Sequence, residues 1–293
     1  MNITTRSLVA WSAYPVVMLS CIIAHYWLLA TGTGLQAATY VPVISGALII
    51  TLLELKFSCR KEWAGNKNDF ANDATYMVLV QILLPRLLSF AIAITLLDYF
   101  QVHQLTFKGW WPQTWPVWAQ AILMLTTADF LRYWLHVASH NWIPLWRLHA
   151  VHHSPHKLYW VNVGRFHPVE KTLQFVFDTL PFIILGIKEE VLALYFVFYA
   201  VNGFFQHSNV NVKLGPLNYI VSGPELHRWH HSMVTEESNR NYGNNLIIWD
   251  ILFGTRFLPN DRQVGELGLK NRHYPMTFLA QLKTPFIKGI DQG

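Results

Sequence analysis

Long apolar segments separated by short polar ones fill the first half of the chain. Residues 8–30 and about 38–55 are each close to the length that a helix needs to span a bilayer. A third apolar run, 74–97, is interrupted by Pro85 and its neighbour Arg86, so it crosses with a kink or enters as a bent hairpin. A fourth run, about 117–135, leads directly into a histidine-rich segment. The pattern predicts about four membrane-spanning helices.

Apolar and polar segments alternate in the second half of the chain. Residues 172–206 are apolar, but Pro181, Gly186 and the charged group 188–190 divide them into halves that are short for a crossing, which predicts a helical hairpin. Residues 208–293 are polar apart from one apolar core near 245–254. We therefore predict an all-α protein, with an integral membrane base of about four spans plus a hairpin under a histidine-rich cap. The expected organisation is one domain, 1–293, with membrane spans in 1–120, a histidine-box region in 121–257 and a C-terminal cytosolic tail in 258–293.

Composition agrees with a membrane protein and argues against nucleic-acid binding. Among 293 residues, 52% are hydrophobic and only 13% are charged, and there are 13 Trp, 12 Tyr and 18 Phe. The formal net charge of +5 comes from Lys and Arg scattered through loops rather than along one stripe. Anionic lipid headgroups are the partner that this charge distribution favours.

Charge asymmetry gives an expected orientation. The loop after the second run contains Lys56, Arg60, Lys61 and Lys67, whereas the connector 31–37 is uncharged. The positive-inside rule then places the charged loop, and with it the histidine-rich cap, in the cytoplasm. We expect a multi-pass protein of the bacterial inner membrane or the endoplasmic reticulum.

Histidines are concentrated in one third of the chain. Eleven of the 14 lie between positions 136 and 231, mostly in the clusters HVASH, HAVHH and HRWHH. Within each cluster the spacing is i, i+3 or i+4, which places the imidazoles on one face of a helix. Eight imidazoles exceed the usual ligand count of one ion, so two metal ions are predicted. The eight candidate ligands are His136, His140, His149, His152, His153, His227, His230 and His231.

Residue types alone leave the metal open between zinc, copper, iron and nickel. The clusters follow an apolar segment closely, and oxygen activation on an alkyl chain beside such a segment requires a redox metal, which favours iron. A metal transporter would place ionisable ligands midway along its spans, and a haem protein would place single histidines on facing helices. Neither class fits triplets of histidines on one turn.

Several further residues are candidates for roles around the ligands. Metal-bound imidazoles usually donate their second N–H to a carboxylate or carbonyl. Asp129 shares a predicted helix stripe with His136 and His140, although an ion pair with Arg132 would also explain it. His167 is either a ligand, a hydrogen-bond partner of a ligand or an ordinary loop histidine. We expect His25 to be satisfied or interfacial, and His103, His156 and His273 to be surface residues. The carboxylates considered as partners are Asp129, Glu170, Asp178, Glu225 and Asp250.

These motifs carry a family resemblance. The series HVASH, HAVHH and HRWHH, with RFHPVE, QHSN and NYGNNLIIWDILFGT around it, resembles the fatty acid hydroxylase / sterol desaturase superfamily of membrane di-iron enzymes. The resemblance covers about residues 124–257, and residues 54–63 resemble the family's N-terminal part less specifically. It implies a membrane base under a cytosolic cap, with two iron ions held by the eight box histidines.

The resemblance also implies the reaction and its co-reactants. The family uses O2 and two electrons to hydroxylate or desaturate a sterol, a fatty acyl chain or a similar lipid, with ether-lipid cleavage or carotenoid-type oxygenation as alternatives. By position, His207 becomes a ninth ligand. Asn211 stands where relatives often have another histidine, so one metal is expected to keep an open or water-filled position. The electrons are expected from a separate reductase, ferredoxin or cytochrome b5-like protein.

Overall fold

The computed structural model describes residues 3–103, 107 and 109–290. This part of the chain is helical, with isolated β-bridges in place of sheets, which confirms the predicted all-α class. The helices are α1 Ile3–Ala30, α2 Leu35–Phe57, α3 Lys67–Tyr76, α4 Leu84–Val102, α5 Val117–Asn141, α6 Ile143–His153, α7 Pro168–Asp178, α8 Leu180–Ile184, α9 Glu189–His207, α10 Pro224–His230, α11 Thr235–Ser238, α12 Ile248–Leu252 and α13 Phe278–Gln281.

The antiparallel pair α1 and α2 packs against α9. Their shared core includes Tyr14, Cys21, Val201 and Phe205, all of which are buried. The opposite faces of α1 and α2 are also apolar, yet they lie on the protein surface. The exposed side chains there include Leu19, Ile23, Ile44, Leu48 and Leu55. A helix that is hydrophobic on all sides and exposed on one of them is suited to contact lipid.

The third predicted run forms one continuous helical rod. A π-helical turn, Met77–Leu83, joins α3 to α4 just before Pro85. Proline has no N–H to donate and its ring collides with the carbonyl four residues earlier, so the widened turn accommodates it. Of the two alternatives, the hairpin is not formed, because residues 67–92 are one helical stretch. Within the described residues, three helical stretches are by length and composition apolar enough to cross a membrane: Thr4–Ala30, Leu35–Phe57 and Lys67–Ile92.

The fourth predicted run forms α5, which lies inside the helix bundle. It packs against α7 and α9 and buries Gln120, Asp129 and Arg132. These polar positions explain why α5 does not meet the composition of a lipid-facing span. The predicted hairpin forms α7, α8 and α9, with breaks at Thr179 and at Gly186, whose φ of 66° is in the left-handed region.

The cap consists of α6, α10 to α12 and the loops around them. Residues after 257 lie against this cap: Leu267 packs with Trp63 and Trp229, and the side chain of Gln281 is hydrogen-bonded to Tyr76 and Ser154. A buried ion pair between Asp73 of α3 and Arg165 attaches the cap to the membrane-spanning rod. The C-terminal part of the chain therefore contributes to the structure that surrounds the histidines.

Candidate metal centre

Four helices bring nine histidines to one place. The end of α5 carries two of them, the last two turns of α6 carry three, and α10 with its C-cap residue carries three, while His207 is the last residue of α9. α10 begins with Gly223 as N-cap and Pro224 in the first turn, where the missing N–H of proline is not needed. The nine imidazoles form two groups, within each of which the potential ligand atoms lie within 4.8 Å of one another. The first group is His136, His140, His149, His153 and His230, and the second group is His152, His207, His227 and His231.

The Nε2 atoms of His136 and His149 in the first group point their lone pairs towards each other. Nε2 of His136 lies 3.0 Å from Nε2 of His149. Nδ1 of His136 donates to the carbonyl of Tyr242, and Nδ1 of His149 donates to Glu170. Because a neutral imidazole carries only one N–H, both Nε2 atoms are then bare. Two lone pairs at this distance repel each other unless a cation lies between them, so the donor set fits a metal ion.

The other short contacts between imidazoles also join two Nε2 atoms. Nε2 of His153 lies 3.1 Å from Nε2 of both His149 and His230, and Nε2 of His227 lies 3.0 Å from that of His207 and 3.1 Å from that of His231. Ligand nitrogens about 2.1 Å from a metal and at right angles to each other are about 3.0 Å apart. The spacing in both groups is therefore that of neighbouring ligands on one ion.

Hydrogen bonds at Nδ1 fix the orientation of six rings and leave Nε2 as the donor atom. Such partners set the tautomer and ring direction of metal ligands. Three acceptors are backbone carbonyls and three are side chains. The pairs are His136 with Tyr242 O (2.7 Å), His140 with Asn239 Oδ1 (2.9 Å), His149 with Glu170 Oε1 (2.6 Å), His152 with Arg165 O (3.2 Å), His207 with Asn162 Oδ1 (2.8 Å) and His230 with Arg240 O (2.8 Å).

Among the proposed carboxylate partners, Glu170 contacts a histidine of the centre. Its Oε1 also accepts from Gln174 Nε2 at 3.1 Å, so the carboxylate is held from two sides. Asp250 acts one step further away: it accepts the amide N–H groups of Tyr242 and Gly243, and the Tyr242 carbonyl in turn holds His136.

The other carboxylates organise the surrounding loops. Asp129 accepts the backbone N–H groups of Asn245 and Leu246 at 2.7 and 2.9 Å. Arg132, the alternative partner of Asp129, lies 3.4 Å from Asp178. Glu225 accepts the N–H of Leu214 and the side-chain amide of Asn218. Each of these carboxylates satisfies groups outside the two histidine groups.

Histidines outside the two groups have other partners or positions. His167 caps α7, because its Nδ1 accepts the N–H of Val169, and its Nε2 lies 3.3 Å from the carbonyl of Leu282. His25 is buried and bonded to the carbonyl of Ala38. His103 and His273 are exposed, as predicted, whereas His156 is half-buried. Asn211 is exposed, and its backbone N–H donates to Phe57 O.

Two side-chain partners of the centre, Asn162 and Asn239, were not predicted from the sequence. Both accept from a histidine of the centre, but an isolated asparagine in a loop has no spacing signal that points to a ligand. Both asparagines reach the histidines only because the segments after α6 and α10 fold back over the centre.

Burial favours the neutral form of several of these imidazoles. It lowers the pKa of His152, His153, His227 and His231 well below the ordinary value, and neighbouring histidines lower it further. The pKa of His230 falls to about 3, first through burial and then through the proximity of His149. Neutral imidazole is the form that binds a metal, so the fold presents the ligands ready for binding.

A cavity of about 1020 Å³ leads from the histidines into the membrane-spanning part. Both Glu189 and His207, the two ends of α9, line it, which gives a length of about 27 Å at about 1.5 Å per residue. Exposed lining residues on α2 and the π-helical turn, such as Ile44 and Ile82, place its opening on the lipid-facing surface. We refer to this space as the lipid cavity.

The lining of the lipid cavity is mostly apolar but carries polar side chains at several places, among them Gln36 and Glu189 far from the histidines. Its walls along α2, the π-helical turn and α9 are mostly apolar, with Val43, Leu48 and Phe196 among them. Near the histidines, several side chains with hydrogen-bonding groups contribute to the wall. These are Arg132, Gln174, Tyr199, Gln206, Asn244 and Asn245. The cavity can therefore hold an amphipathic molecule, and hydrogen-bonding side chains near the metal centre are available to it.

The chain is similar to several lipid-modifying oxidoreductases. A fatty acid hydroxylase family model matches residues 121–255. Ornithine lipid hydroxylase OlsE of Rhizobium tropici is 36% identical over 250 residues, which are 84% of this chain and 75% of that protein. Alkylglycerol monooxygenase of Homo sapiens is 30% identical over 203 residues, covering 69% of this chain and 43% of that protein. Delta(7)-sterol 5(6)-desaturase of Leptosphaeria maculans is 26% identical over 169 residues, or 56% of this chain and 43% of that protein. No solved structure matches the chain.

The matched region contains all three histidine clusters and agrees with the resemblance found over residues 124–257. OlsE matches the chain over most of the length of both proteins. The chain therefore belongs to the fatty acid hydroxylase family, whose members are lipid-modifying oxidoreductases.

Proposed function

We propose that the protein is a multi-pass membrane di-iron oxygenase that inserts one oxygen atom of O2 into a C–H bond of a membrane lipid. The single observation that carries this proposal is the set of facing imidazole lone pairs at the inner end of a long apolar cavity. A centre of this kind fits a redox metal that must act on an alkyl group away from bulk water.

In this proposal each of the two histidine groups holds one iron ion. Five imidazoles surround the first position and four the second, and the site is entirely nitrogenous. Bound iron would supply the activation of O2 and the abstraction of hydrogen from the substrate. Asn211, being exposed, contributes no ligand, so the second ion has the lower protein ligand count.

The protein's own side chains orient the ligands and the lipid. Glu170 fixes the ring of His149, and the amides of Asn162 and Asn239 fix His207 and His140. The apolar wall of the lipid cavity excludes water from the acyl chain, while Arg132, Gln206 and Asn244 provide hydrogen bonds for a polar group beside the metals. The substrate carbon that is oxidised is then close to the lipid's polar part.

Ornithine lipid is the first substrate to test, because OlsE is named as its hydroxylase and is similar over most of its length. The side chains of Gln206 and Asn244 near the histidines can bind a lipid that has hydrogen-bonding groups near the reacting carbon. Hydroxylation is therefore preferred here to desaturation of a distant acyl position. An alkylglycerol ether lipid and a sterol serve as comparison substrates in the same assay.

The remaining parts of the proposal concern orientation and partners. The basic loop at 56–67 and the uncharged connector 31–37 support a cytoplasmic location of the histidines in the bacterial inner membrane or the endoplasmic reticulum. Electrons then come from a separate cytoplasmic donor, such as a reductase, a ferredoxin or a cytochrome b5-like protein. The whole chain, 1–293, acts as one catalytic unit.

The test is metal analysis of the purified protein together with product analysis by mass spectrometry. Protein in detergent or nanodiscs is supplied with lipid, O2 and an electron donor, and products are compared with an anaerobic control. We expect about two irons per chain and a lipid that gains one oxygen atom from O2. Absence of iron after iron-supplemented expression, or lack of lipid oxidation by iron-loaded protein with a competent donor, would contradict the proposal.

A further inference from the structure

A second, smaller opening reaches the histidines from the surface of the cap. This pocket of about 320 Å³, which we call the cap pocket, is bordered by the exposed residues Asn141, Ile143 and Thr235. Buried His153 and Ser232 also line it, together with half-buried His140. It therefore runs from the protein surface to two of the candidate ligands.

The two openings reach different members of the centre. The lipid cavity is lined by His136 and His149 of the first group and by His152, His207 and His227 of the second. The cap pocket is lined by His140 and His153, and both belong to the first group. Within the described residues, Nε2 of His140 has no hydrogen-bond partner. The first group can thus be approached from two sides.

The chemistry of the cap pocket differs from that of the lipid cavity. Side chains that donate or accept hydrogen bonds form much of its lining, including Thr235, Ser238, Asn239 and Lys270. Its volume is enough for several water molecules, each of which occupies about 30 Å³ in the liquid. Protons move along chains of such hydrogen-bonding groups, and an acyl chain that fills the lipid cavity offers none.

Hydroxylation needs a route of this kind. Conversion of a C–H bond and O2 to C–OH and water consumes two electrons from the external donor and two protons, and it releases one water molecule. While the lipid occupies its cavity, these hydrophilic species require another way to the metals. The cap pocket reaches the first group without crossing the lipid cavity.

We propose that the cap pocket is a hydrophilic entrance to the first histidine group, through which protons and small anions enter and water leaves while the lipid occupies its own cavity. This inference rests on the proposed function, because it assumes bound metal. It assigns different tasks to the two openings: one admits the substrate, and the other admits water-soluble species.

Azide, a small anion that binds ferric iron and changes its absorption spectrum, provides the test. Its association rate is measured by stopped flow in the iron-loaded, oxidised protein. Thr235→Trp narrows the mouth of the cap pocket, and Ala47→Trp is the matched variant in the wall of the lipid cavity. We expect Thr235→Trp to slow azide association about tenfold or more, and Ala47→Trp to leave that rate unchanged while weakening lipid binding.

The reverse pattern, with azide slowed by Ala47→Trp and unaffected by Thr235→Trp, would overturn the inference. Iron content is measured for every variant, and Lys270→Trp, which narrows the same mouth from another segment, replaces Thr235→Trp if that variant loses iron. Unchanged azide rates in both cap variants would also overturn it. A wild-type protein that holds no iron would instead contradict the proposed function, so the two failures are distinguishable.

Discussion

Glu170 accepts the Nδ1 hydrogen of His149 at 2.6 Å, and this contact determines which nitrogen of His149 faces the other imidazoles. The carboxylate lies in the first turn of α7 and is held in turn by Gln174 one turn later. His149 is also the residue whose Nε2 lies within 3.1 Å of both His136 and His153. This carboxylate therefore fixes the orientation of the His149 ring, which contacts two other members of the first histidine group.

Glu170→Ala should lower iron affinity or turnover by about 10–100-fold, because removal of such a partner frees the ring of a ligand. Glu170→Gln keeps the acceptor oxygen and should lose less. The measurement is iron content after dialysis against a chelator, together with the turnover rate. Glu236→Ala, at an exposed position of the cap, is the control and should match the wild type. Equal iron retention in Glu170→Ala and the control would contradict this role.

Single ligand substitutions should remove one metal position each. His230 belongs to the first group and His152 to the second, so His230→Ala and His152→Ala should each reduce iron from about two to about one per chain and abolish turnover. Insertion into the membrane should persist. Exposed His273→Ala is the matched control and should retain both irons. Full activity in either ligand variant would exclude that histidine from the centre.

Asp129 should matter for stability more than for metal binding. It is buried in α5 and accepts backbone N–H groups of Asn245 and Leu246. Asp129→Ala leaves these donors unpaired, which should lower the free energy of unfolding by about 2–5 kcal/mol. Thermal unfolding in detergent measures the change, with exposed Thr127→Ala on the same helix as control. A midpoint equal to that of the control would show that the loop does not depend on this carboxylate.

A larger side chain in the lipid cavity should weaken lipid binding and leave the iron content unchanged. Gly203 lines this cavity, and a Cβ at this position would meet only Val163 at an ordinary distance of 3.6 Å. Gly203→Leu should therefore fold, retain iron and bind a long-chain lipid more weakly, whereas Gly203→Ala should be close to the wild type. Lipid binding is followed by titration in nanodiscs. Equal affinity in both variants would indicate that the lipid does not pass this part of α9.

Acid should destabilise the metal-free protein in a defined range of pH. In an unfolded chain, histidine has a pKa of about 6.5. In the folded protein burial lowers the pKa of His230 to about 3, and that of His152 and His153 also falls well below the ordinary value. Between these values the unfolded state binds more protons than the folded state. The free energy of unfolding should therefore be steady above about pH 6.5 and fall as the pH drops below it.

Thermal unfolding of metal-free protein between about pH 8 and about pH 5 tests this expectation. A free imidazole becomes protonated below about pH 6 and no longer binds a metal. The buried histidines resist protonation, so in iron-loaded protein the acid limit should lie lower. A midpoint that rises as the pH is lowered would contradict the argument.

Periodicity predicted those parts of the centre that depend on neighbours along a helix. The i, i+3 and i+4 spacings identified the histidine clusters, and Glu170 was one of five carboxylates considered as partners of the ligands. The Nδ1 acceptors Asn162 and Asn239 and the carbonyl of Tyr242 come from loops whose path depends on tertiary contacts. Asp129 lies on α5 together with His136, but it bonds to a loop more than 100 residues away. No local pattern encodes such a contact.

The division of the histidines between the two groups has a consequence for the integrity of the molecule. The first position joins α5, α6 and α10, and the second joins α6, α9 and α10 with its C-cap residue, so each ion would act as a cross-link between segments far apart in sequence. Cross-links that close long loops restrict the unfolded chain most. Bound iron would then stabilise the contact between cap and base in addition to its role in the reaction. Removal of the iron should make the segment 232–245 accessible to protease before any transmembrane helix unfolds.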